Sequence, residues 1–86
     1  MSRVYYNKKK VNYSMITKKI GLKVKFERMK KGFSQEELTF EAGLNRLTIW
    51  KIETGKVSPT VETLSKIANA LGIDFTTLTD VSKVDL

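Results

Sequence analysis

Four side chains that lie close together in the sequence combine hydrogen-bond donors, positive charge and apolar surface. They are Arg46, Leu47, Trp50 and Lys51. In major-groove recognition, arginine donates a pair of hydrogen bonds to guanine, apolar groups contact thymine methyls, and lysine reaches guanine or phosphate. A solvated helix surface has little use for a leucine and a tryptophan at such positions. The four residues therefore predict a surface that reads the major groove of DNA, provided that one helix presents them together.

A capped helix precedes this group. Ser34 can accept hydrogen bonds from the free amides of a first helical turn, and Glu37, three residues later, completes a capping box. Leu38 and Ala42 lie one turn apart on a single face. Gly43 fits a left-handed C-terminal cap, which ends a helix abruptly. The stretch therefore predicts a short helix followed by a tight turn.

A second helix follows this turn at once. Asn45 can cap it, and Ile49 and Ile52 mark its inward face. Two short helices that are joined so abruptly cross at a steep angle, and this leaves the outer face of the second helix free. That outer face carries the four side chains described above. Residues 34–55 thus predict a helix-turn-helix unit.

This stretch and its flanks resemble the helix-turn-helix domain of the phage repressor/Cro-like (XRE) regulators. The similarity extends from about Thr17 to Thr79 and rests on residues matched at fixed spacing. These residues are Arg28, Gly32, Ser34, Gln35, Leu38, Gly43, Ile49, Ile52, Glu53, Gly55, Leu64, Leu71 and Gly72. The resemblance implies an all-α, five-helix, lambda-repressor-like DNA-binding domain. Thr39 departs from the family pattern, which usually has a small alanine at that position.

The resemblance also implies roles for individual side chains. The base-contacting positions fall on Arg46, Leu47 and Lys51, with Trp50 beside them. The candidates for phosphate contacts are Gln35, Asn45, Thr48 and Lys56. Arg28 and Glu53 are expected to form a partly buried salt bridge that ties the first helix to the end of the DNA-reading helix.

Members of this family commonly form a two-fold interface at the C-terminal end of the domain. The residues there that become candidates for a dimer interface are Ile73, Phe75 and Leu78. They cannot all point inward on so short a helix, and Phe75 is therefore the main candidate for the contact. Closure of the hydrophobic core is the alternative role for Phe75.

The net charge of +7 and the pI of about 9.8 favour a polyanionic partner. Residues 1–31 contain 11 Lys and Arg against a single Glu, whereas residues 32–86 contain 5 basic and 8 acidic side chains. Most of the attraction for nucleic acid therefore lies outside the DNA-reading helix. For any single lysine, a solvated helix face is the simpler interpretation.

Three segments are expected along the chain. Residues 1–15 read as a basic N-terminal arm or a small hairpin, residues 16–80 as the helix-turn-helix domain, and residues 81–86 as a C-terminal tail. The first helix of the domain is expected from about Thr17 to Lys31, because Gly32 fits its end.

That first helix has two apolar faces. The core face is marked by three residues spaced by four, Ile16, Ile20 and Val24. A second stripe on nearly the opposite side consists of Leu22, Phe26 and Met29. The favoured cover for this stripe is one of three N-terminal tyrosines, Tyr5, Tyr6 or Tyr13. The fifth helix with its tail, or a partner chain, is the alternative cover.

The composition argues against several other classes of protein. Without Cys or His, the chain has no disulfide, no thiolate or imidazole metal site and no histidine base, so no metal or cofactor is expected. No apolar run approaches the roughly 20 residues that span a bilayer, and the N-terminus lacks the apolar core of a secretory signal, so a cytoplasmic protein is expected. Glu36, Glu37 and Glu41 lack a nucleophile or metal partner, so an enzyme is not expected.

Together these features predict a sequence-specific DNA-binding transcriptional regulator. A homodimer would bind a palindromic operator whose half-sites lie about one helical turn, roughly 34 Å, apart. The alternative is an antitoxin or another protein-interaction module, with a toxin or co-regulator as partner and DNA binding as a secondary activity.

Overall fold

The computed structural model describes residues 13–86, and within this range it contains five helices and no strand. The helices are α1 (Tyr13–Lys31), α2 (Gln35–Ala42), α3 (Arg46–Glu53), α4 (Val61–Leu71) and α5 (Phe75–Thr79). This confirms the predicted all-α, five-helix fold. None of these helices combines the length and the apolar composition that crossing a membrane requires.

Helix α1 begins at Tyr13, four residues before the expected start at Thr17. No proline or glycine interrupts this stretch, so the helix continues toward the N-terminus. Residues 13–15 of the predicted arm or hairpin therefore belong to the helix, and residues 1–12 lie outside the described part of the chain. Tyr13 is one of the three tyrosines expected to cover the apolar stripe of α1. Its side chain is 79% exposed, so it does not cover the stripe. Tyr5 and Tyr6 lie outside the described residues.

The predicted caps of α2 and α3 are confirmed. The Glu37 amide donates to Ser34 Oγ at 3.0 Å, and the Ser34 amide donates to Glu37 Oε1 at 2.8 Å. Gly43 ends α2 with φ of 65°, in the left-handed region where a side chain would be strained. Asn45 Oδ1 accepts from the Leu47 amide at 2.7 Å and caps α3.

One hydrophobic core lies where the five helices meet. Helix α1 packs against α3, α4 and α5, and α2 packs against α3 and α4. The core consists of Val24, Leu38, Ala42, Ile49, Ile52, Leu64, Ile67, Ala68, Leu71 and Leu78. Fully burying one of its large aliphatic side chains contributes roughly 1.5–3 kcal/mol, which makes this core the main source of stability.

Leu78 requires a correction to the predicted dimer interface. Its side chain is fully buried in the core, so it presents no surface to a second chain. Ile73 and Phe75 are only partly buried and pack against the edge of the core. A helix of five residues has too little periodicity to separate its inward positions from its outward ones, and this is why Leu78 was included with Ile73 and Phe75.

A close backbone contact fixes α3 against α1. A Cβ atom built on Gly21 would overlap the carbonyl oxygen of Ile52 and lie 3.2 Å from the carbonyl oxygen of Glu53. Only glycine allows the two helices to approach so closely at this point. The C-terminal end of α3 is therefore held by the middle of α1.

Candidate nucleic-acid interface

Helix α3 has one anchored face and one open face. Ile49 and Ile52 are 0% and 1% exposed and hold the helix against the core. Leu47 and Trp50, on the open face, are 54% and 43% exposed. A solvated surface that carries two large apolar side chains is available for contact with bases or with the apolar edge of a nucleic-acid backbone.

The start of α2 and the open face of α3 together form a shallow depression of about 440 Å³. Its lining residues are Gln35, Asn45, Arg46, Leu47 and Trp50. All five were predicted from the sequence as DNA contacts, and the structure brings them to one surface. Thr48 and Lys51 are half-buried on the same helix, and Lys56 lies in the exposed turn after it.

Arg46 is available for a ligand. Its Nη1 lies 3.9 Å from Glu36 Oε2, and both side chains are largely exposed, at 70% and 80%. Such an exposed pair contributes about 0–1 kcal/mol to the stability of the fold. A guanine edge or a phosphate can therefore replace Glu36 as the partner of this guanidinium at little cost.

Trp50 lies beside a cation. The Nζ atom of Lys56 is 6.0 Å from the centre of the Trp50 ring, within the range of a cation–π contact. The contact extends the positive charge from the turn after α3 to the open face of that helix. It gives Trp50 a neighbour that the sequence had not indicated.

Asn45 uses only half of its side chain for capping. Its Oδ1 accepts from the Leu47 amide, so its Nδ2 group offers donors toward a phosphate. Gln35 is placed differently from the expectation of a simple phosphate contact. Its Nε2 donates to Glu53 Oε1 at 3.0 Å, which directs the amide toward the end of α3. The first amides of an α-helix have no partner within the helix, and the helix dipole favours an anion there, although the Glu37 amide of α2 already donates to Ser34 Oγ.

Arg28 and Glu53 form a buried, bidentate salt bridge. Arg28 Nε donates to Glu53 Oε2 at 2.7 Å, and Arg28 Nη2 donates to Glu53 Oε1 at 3.0 Å. Their side chains are only 10% and 2% exposed. Arg28 Nη1 also donates to the carbonyl oxygen of Phe33 at 2.7 Å. The pair thus ties α1, the turn before α2 and the end of α3 together.

Sequence reasoning missed the hydrogen bond from Gln35 to Glu53 and the one from Arg28 to Phe33. The first joins residues that are 18 positions apart, and no local pattern predicts such a contact. The signal that could have found it is indirect. Glu53 is an acidic residue on the inward side of α3, and a buried carboxylate needs more than one donor.

The described residues offer no metal centre. Between residues 13 and 86, no group of three or more His, Cys, Asp or Glu side chains is arranged to hold a metal ion. The chemistry of the α3 surface is that of donors, cations and apolar groups. Such a surface can bind a polyanion and discriminate between base edges.

The chain matches a known family of domains and several known proteins. The helix-turn-helix family model HTH_3 matches residues 24–78. The prophage-derived HTH-type transcriptional regulator YonR of Bacillus subtilis is 38% identical over 53 residues, which are 62% of this chain and 49% of YonR. The chain thus spans about half the length of that regulator.

Two controller proteins are similar over more of their length. The control protein C.BamHI of Bacillus amyloliquefaciens is 40% identical over 65 residues, covering 67% of this chain and 80% of that protein. The crystal structure of the restriction-modification controller protein C.AhdI from Aeromonas hydrophila superimposes with a TM-score of 0.70 at 34% identity. That alignment covers 72% of this chain and 94% of the other.

Proposed function

Because this chain belongs to the helix-turn-helix family HTH_3 and is a transcriptional regulator of that type, we propose that it binds DNA in a sequence-specific manner as a homodimer. In this proposal α3 enters the major groove of each half of a palindromic operator. Occupation of that operator would then regulate transcription of the neighbouring gene.

The observation that carries the proposal is the two-sided construction of α3. Ile49 and Ile52 hold the helix from behind, while Arg46, Leu47 and Trp50 stay open to solvent. The buried side gives the helix one fixed orientation, and a fixed orientation is what base readout requires. Arg46, at the first position of α3, is the side chain proposed to donate to a guanine.

Phosphate contacts are proposed on both sides of α3. The amides at the start of α2, the Nδ2 group of Asn45 and the ammonium of Lys56 border the depression or follow it along the chain. Thr48 and Lys51 add a hydroxyl and a second ammonium from α3 itself. These groups set the register of the helix on the duplex, and the open side chains of α3 supply the sequence preference.

The dimer is proposed to form through the surface near α5. Ile73 and Phe75 retain accessible surface at the edge of the core, whereas Leu78 does not. The proposal requires this two-fold axis to place two copies of α3 about one helical turn of DNA apart, roughly 34 Å. The oligomeric state is testable by analytical ultracentrifugation, in which Phe75→Glu should shift the dimer to a monomer.

The DNA upstream of the protein's own gene is the first operator to test. We expect footprinting to show protection of a symmetric site by the wild-type protein. Arg46→Ala should abolish this footprint but retain weak, salt-sensitive binding to random duplex in a gel shift, because the phosphate contacts remain. Equal loss of binding to operator and to random DNA would contradict the role proposed for Arg46.

The alternative function, a protein-interaction module, is favoured by a different surface. Leu22, Phe26 and Met29 on α1 stay exposed, at 38%, 58% and 61%. A surface of this kind is typical of protein contacts rather than of DNA contacts. The two functions do not exclude each other, since α1 presents these residues on the side away from α3.

A further inference from the structure

The exposed stripe on α1 has the spacing of a coiled-coil seam. Phe26 follows Leu22 by four residues, and Met29 follows Phe26 by three. This alternation of four and three defines heptad positions d, a and d. Val24 lies on the opposite side and is fully buried, so the stripe faces outward along the helix.

Four of the five positions that flank this seam within α1 are lysines. With Phe26 at position a, the lysines at e and g are Lys18, Lys23, Lys25 and Lys30, and the fifth flanking position, at the N-terminal end of the helix, is Ile16. We call the four lysines, together with Leu22, Phe26 and Met29, the lysine-flanked stripe. The Nζ atoms of Lys23 and Lys30 lie 5.9 and 5.8 Å from the centre of the Phe26 ring, on which the two cations converge.

The charge of the stripe is almost unopposed on α1. Glu27 is the one acidic residue between Tyr13 and Lys31, and it is buried, with Oε2 bonded to Lys23 Nζ at 2.7 Å. A second copy of the chain would set lysine against lysine in both the parallel and the antiparallel orientation. Like charges at these positions disfavour pairing, so the stripe is poorly suited to bind itself.

The C-terminal tail turns one side of the stripe into a groove. Leu22, Lys23 and Phe26 face Asp80, Lys83 and Val84 across a depression of about 480 Å³. The hydroxyl and the backbone amide of Ser82 donate to Asp80 and lower the pKa of its carboxyl. In this groove Lys23 is paired with Glu27 and Lys83 lies on the same rim as Asp80, so the unpaired positive charge of the stripe comes from the other flanking lysines.

We infer that the lysine-flanked stripe is the docking site for an acidic amphipathic helix of another protein. The apolar residues of that helix lie on Leu22, Phe26 and Met29, and its Glu or Asp side chains pair with the lysines on both sides. The protein's own N-terminal segment is a poorer electrostatic match, since residues 1–12 contain four cations and no acidic residue. Lys18, at one end of the stripe, packs against Gly55 in the turn after α3. Leu22, Phe26 and Met29 do not line the depression on α3, so the inference does not depend on the function proposed for that helix.

A designed peptide tests this inference with the full-length protein. The probe is a labelled helix of about 21 residues, or three heptads, with leucine at a and d and glutamate at e and g. Fluorescence anisotropy at about 50 mM and about 300 mM salt follows its binding. A second peptide with lysine at e and g controls for charge, and a third with serine at a and d controls for the apolar contact.

Three variants locate the site. We expect Phe26→Glu to weaken binding of the glutamate peptide at least about tenfold, because it places a carboxylate inside the seam. Phe40→Glu is the matched control, since Phe40 is 82% exposed on α2 and away from the stripe. The double variant Lys25→Glu, Lys30→Glu should reverse the preference and bind the lysine peptide. Circular dichroism and urea unfolding verify that each variant is folded.

Several results would overturn the inference. They are absence of binding by the full-length chain, equal binding of the glutamate and lysine peptides, and equal effects of Phe26→Glu and Phe40→Glu. Loss of the protein's own dimer in Phe26→Glu would make the stripe a self-interface instead. Binding of phosphatidylglycerol vesicles through Phe26, without binding of the glutamate peptide, would assign the stripe to a membrane surface.

Discussion

Arg28 and Glu53, 25 positions apart in the sequence, meet through two hydrogen bonds of 2.7 and 3.0 Å that are almost completely shielded from water. The bridge joins α1 to the C-terminal end of α3, the helix proposed to enter DNA. A buried pair of this kind gives less stability than its geometry suggests, because both charges had to be desolvated. The bridge matters most for stability when one partner is removed, because the other charge then stays buried without its counter-ion.

Replacing Arg28 by alanine should therefore destabilise the domain strongly. Glu53 would stay buried with only Gln35 as a donor, and breaking a buried pair in this way costs about 3–5 kcal/mol. Urea unfolding followed by circular dichroism measures the loss. The control is Lys66→Ala, which breaks the exposed pair with Glu62 and should change stability by less than about 0.5 kcal/mol. Similar effects of the two variants would mean that burial does not set the cost.

Gly21 should not tolerate alanine. Alanine favours a helix over glycine by about 0.5–1 kcal/mol, so propensity alone predicts a more stable protein. The added methyl would collide with the Ile52 carbonyl, and we expect a net loss of about 1–3 kcal/mol instead. Operator affinity should fall as well, since α3 must move.

Lys25→Ala provides the comparison for Gly21→Ala, because Lys25 is exposed on the same helix. It should leave stability within about 0.5 kcal/mol of the wild type. A Gly21→Ala variant that is as stable as Lys25→Ala and binds operator normally would contradict the close approach of α1 and α3.

The hydroxyl of Thr39 offers a route to a more stable domain. Its Oγ1 is buried and has no hydrogen-bond partner among residues 13–86. An unsatisfied buried polar group costs about 1–3 kcal/mol. Thr39→Val keeps the shape and removes the hydroxyl, so we expect the melting temperature to rise. Thr39→Ser keeps the hydroxyl and should show no gain. A lower melting temperature for Thr39→Val would indicate that the hydroxyl has a partner.

Gln35 should contribute to stability as well as to DNA binding. Gln35→Met removes the donor to Glu53 at nearly constant length, and a hydrogen bond to a charged group is worth about 1.5–3 kcal/mol. Chemical denaturation without DNA measures this term separately from any phosphate contact. If stability is unchanged and only DNA affinity falls, Gln35 acts on phosphate alone.

The helix caps and the inward faces of α2 and α3 could be predicted from the sequence, because each depends on residues that are close together in the chain. The Ser34–Glu37 capping box, the left-handed Gly43 and the Asn45 cap each depend on residues within one turn of one another. The inward placement of Ile49 and Ile52 followed from helical periodicity. These features define α2 and α3, and so the open face of α3 could be anticipated residue by residue.

The remaining features depend on contacts that no local pattern encodes. The start of α1 was expected at about Thr17 because β-favouring residues around a polar turn made residues 1–15 an arm or a small hairpin, whereas the helix begins at Tyr13. Leu78 was misassigned because its burial is decided by α1 and α4, which pack on α5 from distant parts of the chain. The orientation of Gln35 depends on Glu53, and the family resemblance supplied only the Arg28 partner of that carboxylate.

Gly21 brings the backbone of α1 so close to the Ile52 carbonyl that no side chain separates α1 from α3 at this point. A ligand that binds the outer side of α1 and shifts this helix would therefore also displace the eight-residue α3, because the two backbones are in contact. By thermodynamic linkage, such a ligand and the operator would then change each other's equilibrium affinity by the same factor. A single glycine thus sets how closely events on the two sides of this small domain are coupled.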